Sequence, residues 1–189
     1  MGLRVVPTRL PDVLVIETDS HQDERGFFLE SYHKARYAEH GIKDEFVQDN
    51  HSGSRRGVLR GFHYQDDSAP MSKLVRCLSG EILDVAVDLR VGSPTFGRWA
   101  GVELSAANRR QVLVPHGFGH AFLTLTEDAE VLYKCTGFYS PAAEGTVAWN
   151  DPDIGVEWPI ARPLLSPRDE RGMSLRQYLE RPAFVYREA

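Results

Sequence analysis

Apolar positions in this chain recur mainly at every second residue, in short runs broken by Gly, Pro and Asp. That period belongs to strands, whose successive side chains point to opposite faces. The clearest case is 81–89, where Leu83, Val85, Val87 and Leu89 alternate with Asp84, Ala86 and Asp88. Further strands are predicted over 14–16, 27–29, 45–48, 58–64, 73–78, 101–104, 111–114, 120–125 and 130–139. A polar turn, Asp23-Glu24-Arg25-Gly26, precedes Phe27, and Ser79-Gly80 makes a tight connection between two runs. Short strands in such number predict a sandwich or barrel. Helices are few. Residues 33–40 fit one stopped by Gly41, and Ser174 with Gln177 forms a capping box opening another to about Leu179, before Pro182.

Composition narrows this picture. The 189 residues are 42% hydrophobic and 26% charged, the balance of a globular protein. One domain over 1–189 is expected, its core over about 45–140, with N-terminal strands and a C-terminal helical segment packed on it. Cys77 and Cys135, without a CxxC pair, point to a reducing compartment and away from a disulfide framework or zinc ribbon. No apolar run approaches membrane-spanning length and no signal peptide is evident, so a cytoplasmic protein with no membrane partner is expected. A net charge of -5 gives no support to nucleic-acid binding. An anionic ligand would need a local cluster of Arg and Lys.

Three stretches carry candidate chemistry. In Gly57-Val-Leu-Arg60-Gly61-Phe-His63-Tyr-Gln65, His63 and Gln65 share one strand face. Arg60 belongs to the other face unless Gly61 marks a bulge. Pro115-His-Gly-Phe-Gly-His120 resembles the second half of the cupin motif. The first half asks for His-x-His and a following Glu; here Gln65 replaces the second His and no Glu follows. Three or four converging ligands are then lacking, so a cupin barrel is expected without a metal. Lys73 alternates with Val75 and Cys77, which leaves open a barrel-interior ammonium or an outward gatekeeper lysine. Tyr133 shares a face with Val131 and Cys135 and reads as core. Asp169, in Ser166-Pro-Arg-Asp-Glu-Arg, reads as a solvated loop.

As a set, these words resemble the dTDP-4-dehydrorhamnose 3,5-epimerase family, from Asp23-Glu-Arg-Gly-Phe-Phe-Leu-Glu30 to Leu165-Ser-Pro-Arg-Asp169. Phe46-Val-Gln-Asp-Asn50-His-Ser, Val58-Leu-Arg-Gly-Phe-His-Tyr-Gln65, Lys73-Leu-Val-Arg76 and Trp149-Asn-Asp-Pro152 carry the likeness. The resemblance implies a mostly β, cupin-type jelly-roll barrel or sandwich with a few short helices. It implies epimerisation of a dTDP-4-keto-6-deoxy sugar without any cofactor, in a homodimer whose N-terminal segments complete each other's sites. It also implies roles: His63 as base, Asp169 as its supporting acid, Tyr133 as proton donor on the opposite sugar face, and Lys73 beside the enolate oxygen. Arg25, Glu30, Gln48, Asn50, Arg60, His120, Glu144 and Arg168 fall at nucleotide-sugar contacts, and Tyr139 beside the base. Phe62, Met71-Ser72, Arg168 and Gly119-His-Ala-Phe depart from the usual words. A single-position epimerase or 3,4-ketoisomerase on the same scaffold, a metal-dependent cupin oxygenase and a non-catalytic sugar-binding cupin are the competing readings.

Overall fold

In the computed structural model, which describes residues 2–187, the alternating stretches become paired strands. They are β1 (Leu3–Pro7), β2 (Leu14–Thr18), β3 (Ser20–Asp23), β4 (Gly26–Leu29), β5 (Gln48–Arg55), β6 (Leu59–Gln65), β7 (Lys73–Ser79) and β8 (Glu81–Asp88). After these come β9 (Arg90–Val91), β10 (Trp99–Ser105), β11 (Gln111–Val114), β12 (Phe118–Thr124), β13 (Asp128–Cys135), β14 (Glu144–Thr146) and β15 (Phe184–Val185). Helix α1 (Lys34–Glu39) lies between β4 and β5, and α2 (Leu175–Glu180) precedes β15.

One sheet has six strands in the order β1-β2-β11-β7-β13-β5, and the other five in the order β10-β8-β12-β6-β14. Their pairings are antiparallel. The sheets pack face to face as the sandwich form of the expected cupin-like fold and are not closed into a barrel. Between them Val75, Val112 and Val131 meet Ile82, Ala86, Leu104 and Phe122. Burial of such apolar area is the main favourable contribution to folding.

Both outer faces are also covered. Tyr37 of α1 and the adjoining Ile42 lie on Ile16, Leu74 and Leu113 of the larger sheet. Leu175, Tyr178 and Phe184 from the C-terminal segment lie on Phe62, Val85 and Ala121 of the smaller one. This explains why β11 and β12 are buried at every position. The alternation over 81–89 therefore separates two buried faces, not a wet face from a dry one. Its polar members are paired: Asp84 with His120, and Asp88 with Arg90, Ser93 and Thr95.

Both helices match the capping signals. Ser174 accepts from Gln177 N while Gln177 reaches back to Ser174 N, and Gly41, at φ +85°, follows α1. The strand expected over 45–48 is displaced. The ladder starts at Gln48, opposite Cys135, and continues through the polar run to Arg55. No apolar residue marks a period in that run, whose alternation of half-buried and exposed positions emerges on pairing with β13.

Candidate active site

A cavity of about 570 Å³ opens between the two sheets. The smaller sheet supplies Arg60, His63 and Gln65 from β6 and Glu144 from β14; the larger supplies Gln48 and Asn50 from β5, Lys73 from β7 and Tyr133 from β13. Met71, Tyr139 and Arg168 reach it from loops. A wider hollow of about 1050 Å³ beside α2 holds none of His63, Lys73 or Tyr133.

A break in strand register brings Arg60 and His63 to one side. On β12, His120 faces His63 and Phe122 faces Arg60, so β6 carries one extra residue in that interval. This is a β-bulge at Gly61, which decides the alternative that the sequence left open. Gly61 has φ +122°, and a Cβ there would run into His120 O and lie 2.6 Å from Ala121 Cα. Only glycine fits.

His63 Nε2 lies 2.5 Å from Asp169 Oδ1. The carboxylate places the ring proton on Nε2 and leaves the Nδ1 lone pair as the free base. Asp169 is held in turn by Ser166 Oγ, at 2.8 Å from Oδ2. It is only 3% exposed, which corrects the solvated-loop reading of its local sequence. That loop docks against β6, a contact its own residues do not encode.

Burial pulls the His63 imidazole below its ordinary 6.5; Asp169 opposes this, and the charges of Arg168 and Lys73 reinforce it. Burial works to raise the Asp169 carboxyl, but bonds to His63 and Ser166 outweigh it and hold the group below 3.8. The pair is therefore a neutral imidazole beside a carboxylate. Burial likewise pulls the Lys73 ammonium below 10.5, with Cys135 and Asp84 opposing. Tyr133, opposite Asn50 in the ladder, is pushed above 10 by burial and so keeps its proton at neutral pH.

Arg168 pairs with Glu144 at 2.5 Å and donates from Nε to Thr146 Oγ1 at 3.0 Å. Its Nη2 is buried and has no partner among the described residues. Arg60 spends Nε on Ser54 Oγ and Nη2 on Gly53 O, each at 3.1 Å. Tyr139 donates its hydroxyl to Glu144 at 3.2 Å.

Three expected contact residues are not among those lining the cavity, although His120 is the ladder partner of His63. His120 points at Asp84, Nε2 to Oδ2 2.8 Å, and does not line the cavity. Arg25 sits on the β3–β4 hairpin, bonded to Asp23, and Glu30 follows that hairpin, bonded to Arg36. His51, Tyr64, Gln65 and Met71 line the cavity without having been singled out as contacts. Gln65 was visible in the sequence only as a failed metal ligand. Its amide, like the two histidine Nε2 atoms, is already engaged by protein groups.

A cupin-like sandwich whose cavity joins a carboxylate-backed imidazole to a phenol and an ammonium is the architecture of an acid–base isomerase. The family model described as dTDP-4-dehydrorhamnose 3,5-epimerase matches residues 7–177. The chain is 53% identical over 177 residues to the dTDP-4-dehydrorhamnose 3,5-epimerase of Salmonella typhimurium, covering 93% of this chain and 97% of that one. It is 41% identical to the dTDP-4-dehydrorhamnose 3-epimerase of Streptomyces niveus, covering 93% and 85%. The dTDP-6-deoxy-D-glucose-3,5-epimerase of Legionella pneumophila, solved with dTDP-4-keto-L-rhamnose, superposes with a TM-score of 0.95 at 43% identity, covering 99% and 100%. The protein belongs to the dTDP-4-dehydrorhamnose 3,5-epimerase family.

Proposed function

We propose that this protein epimerises a dTDP-4-keto-6-deoxyhexose at C3 and C5. The supporting observation is that His63 comes from one sheet, Tyr133 and Lys73 come from the other, and all three line one cavity. A pyranose held between the sheets has the base on one face and the phenol on the other.

The C4 ketone acidifies the hydrogens on C3 and C5. His63 Nδ1 takes one, and Asp169 stabilises the imidazolium formed. Negative charge moves to the C4 oxygen, where the Lys73 ammonium offsets it; a preorganised contact of this kind is worth about 3–4 kcal/mol in the transition state. Tyr133 then delivers a proton to carbon from the opposite face; exchange with solvent takes the proton from His63 and returns one to Tyr133, and repetition at the second carbon completes the double inversion. Arg60 and the unpartnered Nη2 of Arg168 serve the diphosphate. Gln48, Asn50, Tyr139 and Glu144 frame the rest of the nucleotide sugar, whose binding holds the ring in place.

The active form is a homodimer. Arg25 and Glu30 are not among the residues lining their own cavity, and among the described residues the hairpin that carries Arg25 forms strand pairs only with itself. Its Phe27 and Phe28 are 54% and 65% exposed. A second copy receives this hairpin, and Arg25 and Glu30 complete the partner's site. Free, buried Cys77 and Cys135 accord with a cytoplasmic location, and none of the described helices is long and apolar enough to cross a membrane.

Proton NMR of dTDP-4-keto-6-deoxyglucose with the enzyme in heavy water tests the reaction. Deuterium at both C3 and C5 is expected. Label at C3 alone would replace this reading with that of the 3-epimerase relative, and label at neither carbon would remove the epimerase reading.

A further inference from the structure

Gln65 commits its whole amide to the backbone of two loops. Nε2 donates to Ala69 O at 2.9 Å and to Phe138 O at 3.3 Å, while Oε1 accepts from Ser140 N at 2.8 Å. The residue is 7% exposed. One loop, 66–72, carries Met71 to the cavity, and the other, 136–143, carries Tyr139. Their inner ends are joined by Ser72 and Thr136, Ser72 N donating to Thr136 Oγ1 at 2.8 Å. Side-chain burial does little to fix the second loop, because Phe138 and Tyr139 are 71% and 56% exposed. An exposed loop of this kind opens readily unless its backbone is tied down.

The position asks for two donors and one acceptor at a single point. Glutamine supplies them; a carboxylate only accepts, and a thioether donates nothing. We infer that Gln65 is a positioning residue, clamping loops 66–72 and 136–143 together so that Met71 and Tyr139 stand as walls for the nucleotide sugar. Gln65 therefore occupies the cupin motif's second-histidine place but binds the protein's own loops there instead of a metal. The inference rests on reading the cavity as a dTDP-sugar site.

The consequence is a separation of binding from chemistry. His63, Lys73 and Tyr133 stand on sheet strands and do not depend on the clamp. Removing the three Gln65 bonds loosens the walls and is expected to weaken binding roughly tenfold.

The test compares Gln65→Met and Gln65→Glu with wild type, using dTDP calorimetry, steady-state kinetics and hydrogen–deuterium exchange. Gln65→Met is expected to raise the dTDP dissociation constant and KM about tenfold, to leave kcat within about threefold, and to speed exchange in both loops but not in β6, β7 or β13. Gln65→Glu should match it at neutral pH. As the pH falls, the protonated carboxyl regains a donor, so dTDP affinity should recover relative to wild type and to Gln65→Met at the same pH. Wild-type affinity in both variants would overturn the clamp. So would weakened binding without faster loop exchange, which would mark Gln65 as a direct ligand contact, or a fall in kcat at constant KM. If wild type itself neither binds dTDP nor turns over the keto sugar, the reading of the cavity fails, while the exchange data still decide whether Gln65 ties the loops.

Discussion

Arg60 and His63 stand three residues apart on β6, yet both line one cavity, because a bulge between them turns Arg60 to the side that His63 faces. In a regular strand that spacing would put one residue in the site and the other behind it. The bulge thus places a guanidinium and an imidazole along one edge of the pocket.

Gly61 permits the bulge, so Gly61→Ala is expected to damage stability and site together. Its backbone region alone costs a non-glycine residue about 1–3 kcal/mol. The added Cβ also collides with His120 O and meets Ala121 Cα at 2.6 Å. A melting temperature lower by several degrees is expected, together with weaker dTDP binding. A variant that melts and binds like wild type would show that another feature sets the register.

The sequence offered Gly61 as a site for this bulge without deciding it, while other local signals were legible outright. The capping box at Ser174 and the Gly41 stop located both helices, since capping is chemistry between near neighbours. Long-range pairing was not legible. The polar run of β5 has no apolar residue to mark its strand period, which shows in burial once β13 lies beside it. Asp169 sits in a charged stretch, and its burial depends on contact with a strand 106 residues earlier. The roles of His63, Lys73 and Tyr133 came from likeness to a family, while their convergence required two sheets to be stacked. The buried pairing of His120 with Asp84 was not legible either, because alternation had marked Asp84 only as polar.

Tyr133→Phe should uncouple proton removal from inversion. His63 remains able to take a proton, exchange it with solvent and return a deuteron to the same face. Solvent deuterium should therefore still enter the first carbon at a rate within about tenfold of wild type, while net inversion falls roughly 10²–10⁴-fold. Parallel loss of exchange and inversion, measured by NMR on one sample, would count against a division of labour between the faces.

Asp169→Asn tests the tautomer. Turned toward His63, the amide donates to Nε2 and drives the ring proton onto Nδ1, so the free lone pair disappears. Turnover is expected to fall roughly 10³–10⁴-fold, as in triads where the carboxylate is neutralised, with the fold retained. Near-normal kcat would mean that Asp169 does not set the state of His63.

The pH dependence follows from the same pair. A neutral base is required, and burial holds His63 below 6.5, so kcat/KM should stay level down to about that pH and then fall. On the alkaline side burial lowers the Lys73 ammonium from 10.5 and raises the Tyr133 phenol from 10, so the two groups that bound this limb are moved in opposite directions. Stability moves with these groups. The native state holds its protons on His63 less readily than the unfolded chain, so that contribution is present above 6.5 and lost as pH falls through the folded value. Asp169 adds a second contribution, present above 3.8 and lost as pH falls through its own depressed value. An acid limb of kcat/KM centred above pH 7 would contradict a buried neutral imidazole.

Exchange of hairpins between subunits can be tested by complementation. Arg25→Ala and His63→Ala homodimers should each be nearly inactive, one lacking a nucleotide contact and the other the base. After co-unfolding and refolding at equal concentration, half of the dimers are mixed, as random pairing requires. In a mixed dimer, the cavity of the Arg25→Ala chain keeps its own His63 and receives an intact Arg25 from the partner. The other cavity carries both defects. Half the dimers with one working site of two restore about one-quarter of wild-type activity. If Arg25 instead serves its own subunit, every cavity in the mixture lacks one group or the other, and activity stays at the level of the separate variants. The two arrangements therefore differ in the presence or absence of recovered turnover, which one assay on the refolded mixture reads directly.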